Sequence, residues 1–293
     1  MSLHKATLFK GVATALITPF SKGEIDYNAF GDLIEHQIES GVSALLVAGT
    51  TGECATLSLE EVHRLTSFAK QQIDGRIPLL TGCGSNSTQH AVALAKAACD
   101  AGADALLSVT PYYSKASDRG LLLHFRAIAD HATRPLIIYN VPSRTGVTLS
   151  ITHYRALAAH ENIIGVKEAS GDLALLERLC AECGDDLDVW TGNDAQTVAA
   201  MRLGAVGVIS VISNLLPRAM AELCRACAVE DYRGAEERLL PLREKIDALF
   251  AEVNPIPVKY VAALKGICAA EYRLPLCPPS PELAHRLQGL FYS

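Results

Sequence analysis

Lys167 is the residue in this chain whose placement most calls for a chemical explanation. It closes the apolar run Ile163-Ile164-Gly165-Val166-Lys167, where a buried ammonium is costly unless it is paired or gives up its proton. At an ordinary pKa of ~10.4, roughly 0.04% of a lysine is neutral at pH 7. Burial lowers that value and frees a nucleophilic amine, the group that forms Schiff bases with carbonyl substrates. Alternation along a strand turns Glu168 to the opposite face, so the two need not pair directly. The plainer alternative is a strand-end lysine paired with a structural carboxylate.

Other polar residues follow other apolar runs. Gly49-Thr50-Thr51-Gly52-Glu53 comes after 44–48; two hydroxyls and free backbone N–H groups near a helix start suit a carboxylate. Thr110-Pro111-Tyr112-Tyr113 comes after 105–109, and the run 135–140 ends in Tyr139-Asn140. A phenol near a buried lysine is placed for proton transfer, with amphipathic packing as the alternative. Arg144, in Val141-Pro142-Ser143-Arg144-Thr145-Gly146, can hold a carboxylate bidentately, or is a surface charge. Gly82-Cys83-Gly84-Ser85-Asn86 and Gly192-Asn193-Asp194 follow two further runs.

These residues meet only if the runs are parallel strands of one closed sheet. Eight runs recur, at 12–18, 44–48, 77–81, 105–109, 135–140, 163–167, 188–191 and 207–211. They are nearly continuous in apolar character, as strands buried on both faces should be. Helix-period segments lie between them. Asp26 is placed to cap the first, Ser58 with Glu61 to form a capping box, and Ser87 to cap a helix ending near Gly102. The pattern predicts an α/β fold, a (β/α)8 barrel over residues 1–228, with chemistry at the C-terminal strand ends. After Pro217 the pattern is helix only, about 217–228, 231–250, 255–269 and 281–290, which gives a helical extension over 229–293. An open doubly wound sheet is the other architecture considered.

Bulk properties narrow the function classes. The 293 residues are 49% hydrophobic and 20% charged with a formal charge of −6, and the basic residues are dispersed. Nucleic acid and acidic membrane surfaces are therefore poor partners. No apolar stretch reaches the ~18 residues of a membrane span. Met1-Ser2-Leu3-His4-Lys5 lacks the apolar stretch of a signal peptide. Nine cysteines without such a signal read as reduced thiols in a cytoplasm. The pairs Cys180/Cys183 and Cys224/Cys227 fall inside expected helices without the turns of a zinc site. The Gly82–Ser87 segment is too incomplete for a dinucleotide fingerprint, and no metalloprotease motif or nucleophile elbow occurs.

Gly49-Thr50-Thr51-Gly52-Glu53, Tyr139-Asn140-Val141-Pro142-Ser143-Arg144-Thr145-Gly146 and Val166-Lys167-Glu168-Ala169-Ser170-Gly171-Asp172 together resemble the dihydrodipicolinate synthase family of pyruvate-dependent class I aldolases. The resemblance runs from Gly11 through the extension. It implies a lyase with no metal and no cofactor. In such a lyase Lys167 forms an imine with pyruvate, whose enamine adds to L-aspartate 4-semialdehyde to give 4-hydroxy-tetrahydrodipicolinate, on the route to lysine and diaminopimelate. It implies proton transfer by Tyr139, relayed through Thr50 and Tyr113, with Tyr113 reaching into a neighbouring subunit of a dimer that pairs into a homotetramer. It implies that Thr51 holds the pyruvate carboxylate, that Gly192 and Ile209 line the pyruvate pocket, and that Arg144 selects the second carboxylate. Asn86, His90 and Tyr112 match an interface pocket for lysine in inhibited relatives. There His90 replaces a glutamate, and Leu59 and Val62 replace histidines, so weak or absent lysine feedback is expected. The alternatives are a related aldolase acting on a 2-keto-3-deoxy sugar acid or a hydroxyproline-derived keto acid, or a barrel that binds keto acids without catalysis.

Overall fold

The structure, a computed structural model, describes residues 5–292. The strands are β1 (Gly11–Ala15), β2 (Ala44–Val47), β3 (Leu79–Gly82), β4 (Ala105–Val109), β5 (Leu136–Asn140), β6 (Ile163–Glu168), β7 (Asp188–Thr191) and β8 (Gly207–Ser210). All pair in parallel and close in the order β1-β8-β7-β6-β5-β4-β3-β2. Closure is made by β1, which pairs Ala13 with Ala44 on one side and Gly11 with Gly207 on the other. The expected (β/α)8 barrel therefore forms, and the open sheet does not.

A helix follows each strand: α1 (Tyr27–Glu39), α2 (Leu59–Ile73), α3 (Thr88–Asp100), α4 (Asp118–His131), α5 (Ile151–Ala158), α6 (Leu173–Cys183), α7 (Thr197–Arg202) and α8 (Pro217–Ala228). The expected caps form. Asp26 accepts from the N–H groups of Asn28 and Ala29, Ser58 and Glu61 form a reciprocal capping box, and Ser87 accepts from the His90 N–H. Beyond α8 lie α9 (Tyr232–Leu239), α10 (Arg243–Leu249), α11 (Ile256–Leu264) and α12 (Pro281–Phe291). Among the described residues no helix is long and apolar enough to cross a membrane.

Three expectations shift. The run 12–18 is strand only to Ala15, and the chain then folds into a hairpin of two-residue arms, Phe20–Ser21 and Glu24–Ile25. Arms that short leave no periodicity to read. The helix expected over 231–250 breaks at Leu240–Leu242, where Pro241 has no N–H for the preceding turn. The helix expected over 255–269 ends at Leu264, with Gly266 left-handed just beyond it (φ 73°).

The barrel interior is filled from below. Phe9 stacks on Trp190 with ring centroids 4.8 Å apart, and the Trp190 indole N–H donates to the Phe9 carbonyl at 3.3 Å. Ala13, Ala15, Ala44 and Ala105 share this interior cluster, and their small side chains leave room for the indole. One pairing irregularity sets the upper layer. Leu136 pairs with Ile163, but Ile137 pairs with Gly165. The extra residue, Ile164, lies in the interior cluster while Val166 joins the outer core. Lys167 then pairs between Tyr139 and Trp190, both interior residues, so its side chain points inward and that of Glu168 outward. Gly165 permits this packing, since a Cβ there would meet the Asp188 carbonyl oxygen at 2.5 Å and the Trp190 ring at 2.6 Å.

Candidate active site

The C-terminal strand ends enclose a cavity of about 140 Å³. Lys167 reaches it from β6, Tyr139 from β5, Thr50 and Thr51 from the turn after β2, Gly192 from the end of β7, and Arg144 from the short helix Pro142–Thr145. The sequence brought these six residues to one rim, and the structure brings all six to one cavity.

Lys167 is 5% exposed, with Nζ 4.5 Å from the centroid of the Tyr139 ring. Burial pulls its pKa down to about 8; the Asp194 carboxylate opposes the drop and the Arg144 guanidinium adds to it. At that value about a tenth of the amine is neutral at pH 7. Burial pushes the Tyr139 phenol up to about 12, although the Arg144 charge and a hydrogen bond with Thr50 pull it back. The phenol therefore keeps its proton while the amine readily loses one, which suits an acid beside a nucleophile.

Each group is held by neighbours outside the cavity. Glu168, facing away from the barrel, accepts from Asn140 Nδ2 at 2.9 and 3.1 Å, from the Tyr154 hydroxyl at 2.8 Å and from the Ser170 N–H at 2.7 Å. This network pins the strand end on which Lys167 sits. Asp194 accepts from the N–H groups of Val211 and Ile212, both at 3.0 Å, and tethers the turn after β7 to the end of β8. Gly192 gives the lysine its passage: a Cβ there would lie 2.9 Å from Lys167 Cε and 2.6 Å from Ala169 Cβ.

Sequence reasoning missed Phe250 and Asn254, which line the cavity from the helical extension. Asn254 Nδ2 donates to Thr51 Oγ1 at 3.0 Å, which leaves the threonine hydroxyl proton free for an acceptor in the cavity. The Asn254 carbonyl accepts from Arg144 Nη2 at 3.3 Å. The only local signal was the position of Asn254, between the helices expected over 231–250 and 255–269 and directly before Pro255.

Other residues stand elsewhere. Ile209 is fully buried in the interior cluster, and Val211 forms the cavity wall on that side. Tyr113 is 89% exposed, in left-handed backbone (φ 72°), and does not reach the cavity of its own chain. His90 and Tyr112 line an adjoining cavity that shares Thr50 and Arg144 with the first, whereas Asn86 is exposed outside it. Cys180/Cys183 and Cys224/Cys227 lie within α6 and α8 as free thiols. Among the described residues no group of three or more His, Cys, Asp or Glu side chains is placed to hold a metal ion.

Comparison with known proteins agrees with this arrangement. The family model of the dihydrodipicolinate synthetase family matches residues 8–291. A 4-hydroxy-tetrahydrodipicolinate synthase from Pelobacter propionicus is 45% identical over 271 residues, covering 92% of this chain and 93% of that protein. The crystal structure of dihydrodipicolinate synthase from Aquifex aeolicus is 43% identical, with a TM-score of 0.95 over 97% of both chains. A structure of the chloride-inhibited dihydrodipicolinate synthase from Acinetobacter baumannii complexed with pyruvate is 39% identical, with a TM-score of 0.95 over 98% of both chains.

Proposed function

The chain belongs to the dihydrodipicolinate synthetase family, and on that premise we propose that Lys167 is the amine on which it condenses pyruvate with L-aspartate 4-semialdehyde. The product is 4-hydroxy-tetrahydrodipicolinate, as in the curated relatives of that name, and the enzyme is a lyase of lysine and diaminopimelate biosynthesis. The observation that carries the role of Lys167 is its inward, buried amine beside the Tyr139 ring, with its pKa drawn down to about 8.

The neutral amine adds to the pyruvate ketone. Loss of water leaves an imine, and loss of a methyl proton leaves the enamine. The enamine carbon attacks the aldehyde, and the amine of the second substrate closes the ring as it displaces Lys167. Tyr139, protonated at neutral pH, gives a proton to the departing hydroxyl and takes protons back, with Thr50 hydrogen-bonded beside it. Thr51 donates its hydroxyl to the pyruvate carboxylate, because Asn254 already occupies an acceptor site on that oxygen. Arg144, at the mouth, pairs with the carboxylate of the semialdehyde.

Tyr113 acts across an interface between copies of the chain, completing the relay through Thr50, in an assembly of two dimers. This accounts for a phenol held outward in backbone that only glycine adopts freely. An assay offering pyruvate with either aspartate semialdehyde or sugar-derived aldehydes tests the reading. Turnover is expected with the semialdehyde. Turnover confined to sugar-derived aldehydes would assign the chain to another aldolase.

A further inference from the structure

A second lysine is buried more completely than Lys167 and takes no part in the reaction above. Lys259, in α11, has a side chain with no exposed surface, and its Nζ lies 2.5 Å from Oε1 of Glu53, whose side chain is equally buried. The ammonium also sits 4.1 Å from the centroid of the Phe20 ring. Glu53 Oε2 accepts from the Arg273 N–H at 3.3 Å, so both carboxylate oxygens are engaged. Neither Glu53 nor Lys259 lines the cavity that holds Lys167.

The two residues stand at informative places. Glu53 ends the turn that carries Thr50 and Thr51. Its backbone is left-handed (φ 58°), and its N–H donates to the Thr50 carbonyl at 3.1 Å. That conformation carries a cost for a non-glycine residue, which the buried contacts of Glu53 offset. Lys259 lies in the first turn and a half of a helix that begins two residues after Asn254. Asn254 is the residue that donates to Thr51 and accepts from Arg144. A charge pair without solvent access tolerates little change in geometry. We infer that the Glu53–Lys259 pair positions the pyruvate-carboxylate site, by clamping the threonine turn against the segment that bears Asn254.

Glu53 and Lys259 are positioning residues that act through Thr51 and Asn254. This inference rests on Lys167 as the pyruvate nucleophile.

The test uses the full-length protein and two variants. Glu53→Gln with Lys259→Met removes both charges and leaves no buried ion unpaired; Lys259→Arg keeps the charge and changes its geometry. Pyruvate is titrated, the adduct is trapped with borohydride and the labelled peptide is identified. In the double variant the half-saturating pyruvate concentration is expected to rise about tenfold, with the label still on Lys167 and the maximal trapping rate changed less than threefold. Lys259→Arg is expected to fall between it and the wild type. Unchanged half-saturation in the folded double variant, or loss of fold in both variants, would show a purely structural pair. Absence of any adduct in the wild type would instead sink the assignment of Lys167.

Discussion

Replacing Lys167 by methionine should abolish activity and also stabilise the protein, because the native state bears the cost of burying the amine. Burial holds that amine near pKa 8, against 10.5 for an exposed lysine. The sign follows from proton linkage. Below pH 8 both the native and the unfolded lysine are charged, and the native state bears the whole cost, on the order of 3 kcal/mol. As the pH rises through 8 the native amine sheds its proton and the cost falls. It vanishes near 10.5, where the unfolded lysine is neutral too. Methionine is of similar length and uncharged, so Lys167→Met is expected to gain about 2–3 kcal/mol at neutral pH, several degrees in thermal midpoint. The assay is thermal or urea unfolding of both proteins at equal concentration, without pyruvate, from about pH 7 to about pH 10. An advantage that shrinks as the pH rises supports the reasoning. A methionine variant no more stable than the wild type at pH 7, or an advantage independent of pH, would refute it.

Gly192→Ala places a methyl 2.9 Å from Lys167 Cε, and a displacement near 1 Å costs on the order of 100-fold in rate. Adduct formation is expected to slow by about that factor in a folded protein; a wild-type rate would show that the lysine has freedom this packing denies. Arg144→Ala is expected to leave the pyruvate adduct within about threefold of wild type but to lower turnover with the semialdehyde by about 10–100-fold, the worth of a charge-assisted pair. Equal loss of both would count against its role. A titration with lysine is expected to inhibit weakly or not at all, since Val62 is buried and Leu59 is apolar where inhibited relatives carry histidines; strong inhibition at low concentration would overturn that expectation.

Much of this was legible in the chain because barrel strands advertise themselves. Runs such as 105–109 and 188–191 place apolar residues on both faces, Leu106 and Leu107 in the first and Val189 and Trp190 in the second, and the observed strands Ala105–Val109 and Asp188–Thr191 coincide with them. The capping residues Asp26, Ser58 and Ser87 were equally local signals. Alternation put Lys167 and Glu168 on opposite faces, as found. Which of the two faces inward depends on the extra residue at Ile164, and no periodicity reveals such an irregularity. The role of Asn254 went unread for a different reason. Its partner Thr51 lies 203 positions away, and neither residue's neighbours hint at the other. Tyr113 was singled out from its motif, yet its exposed place in a single chain could not be read from spacing.

The most direct test of the account is to treat the wild-type protein with pyruvate and borohydride, map the modified peptide by mass, and repeat the trapping across pH. A single adduct on Lys167 is expected, formed faster as the pH rises through about 8, the value at which burial lets the amine lose its proton. An adduct on another lysine, such as Lys259, or none at all, would contradict it.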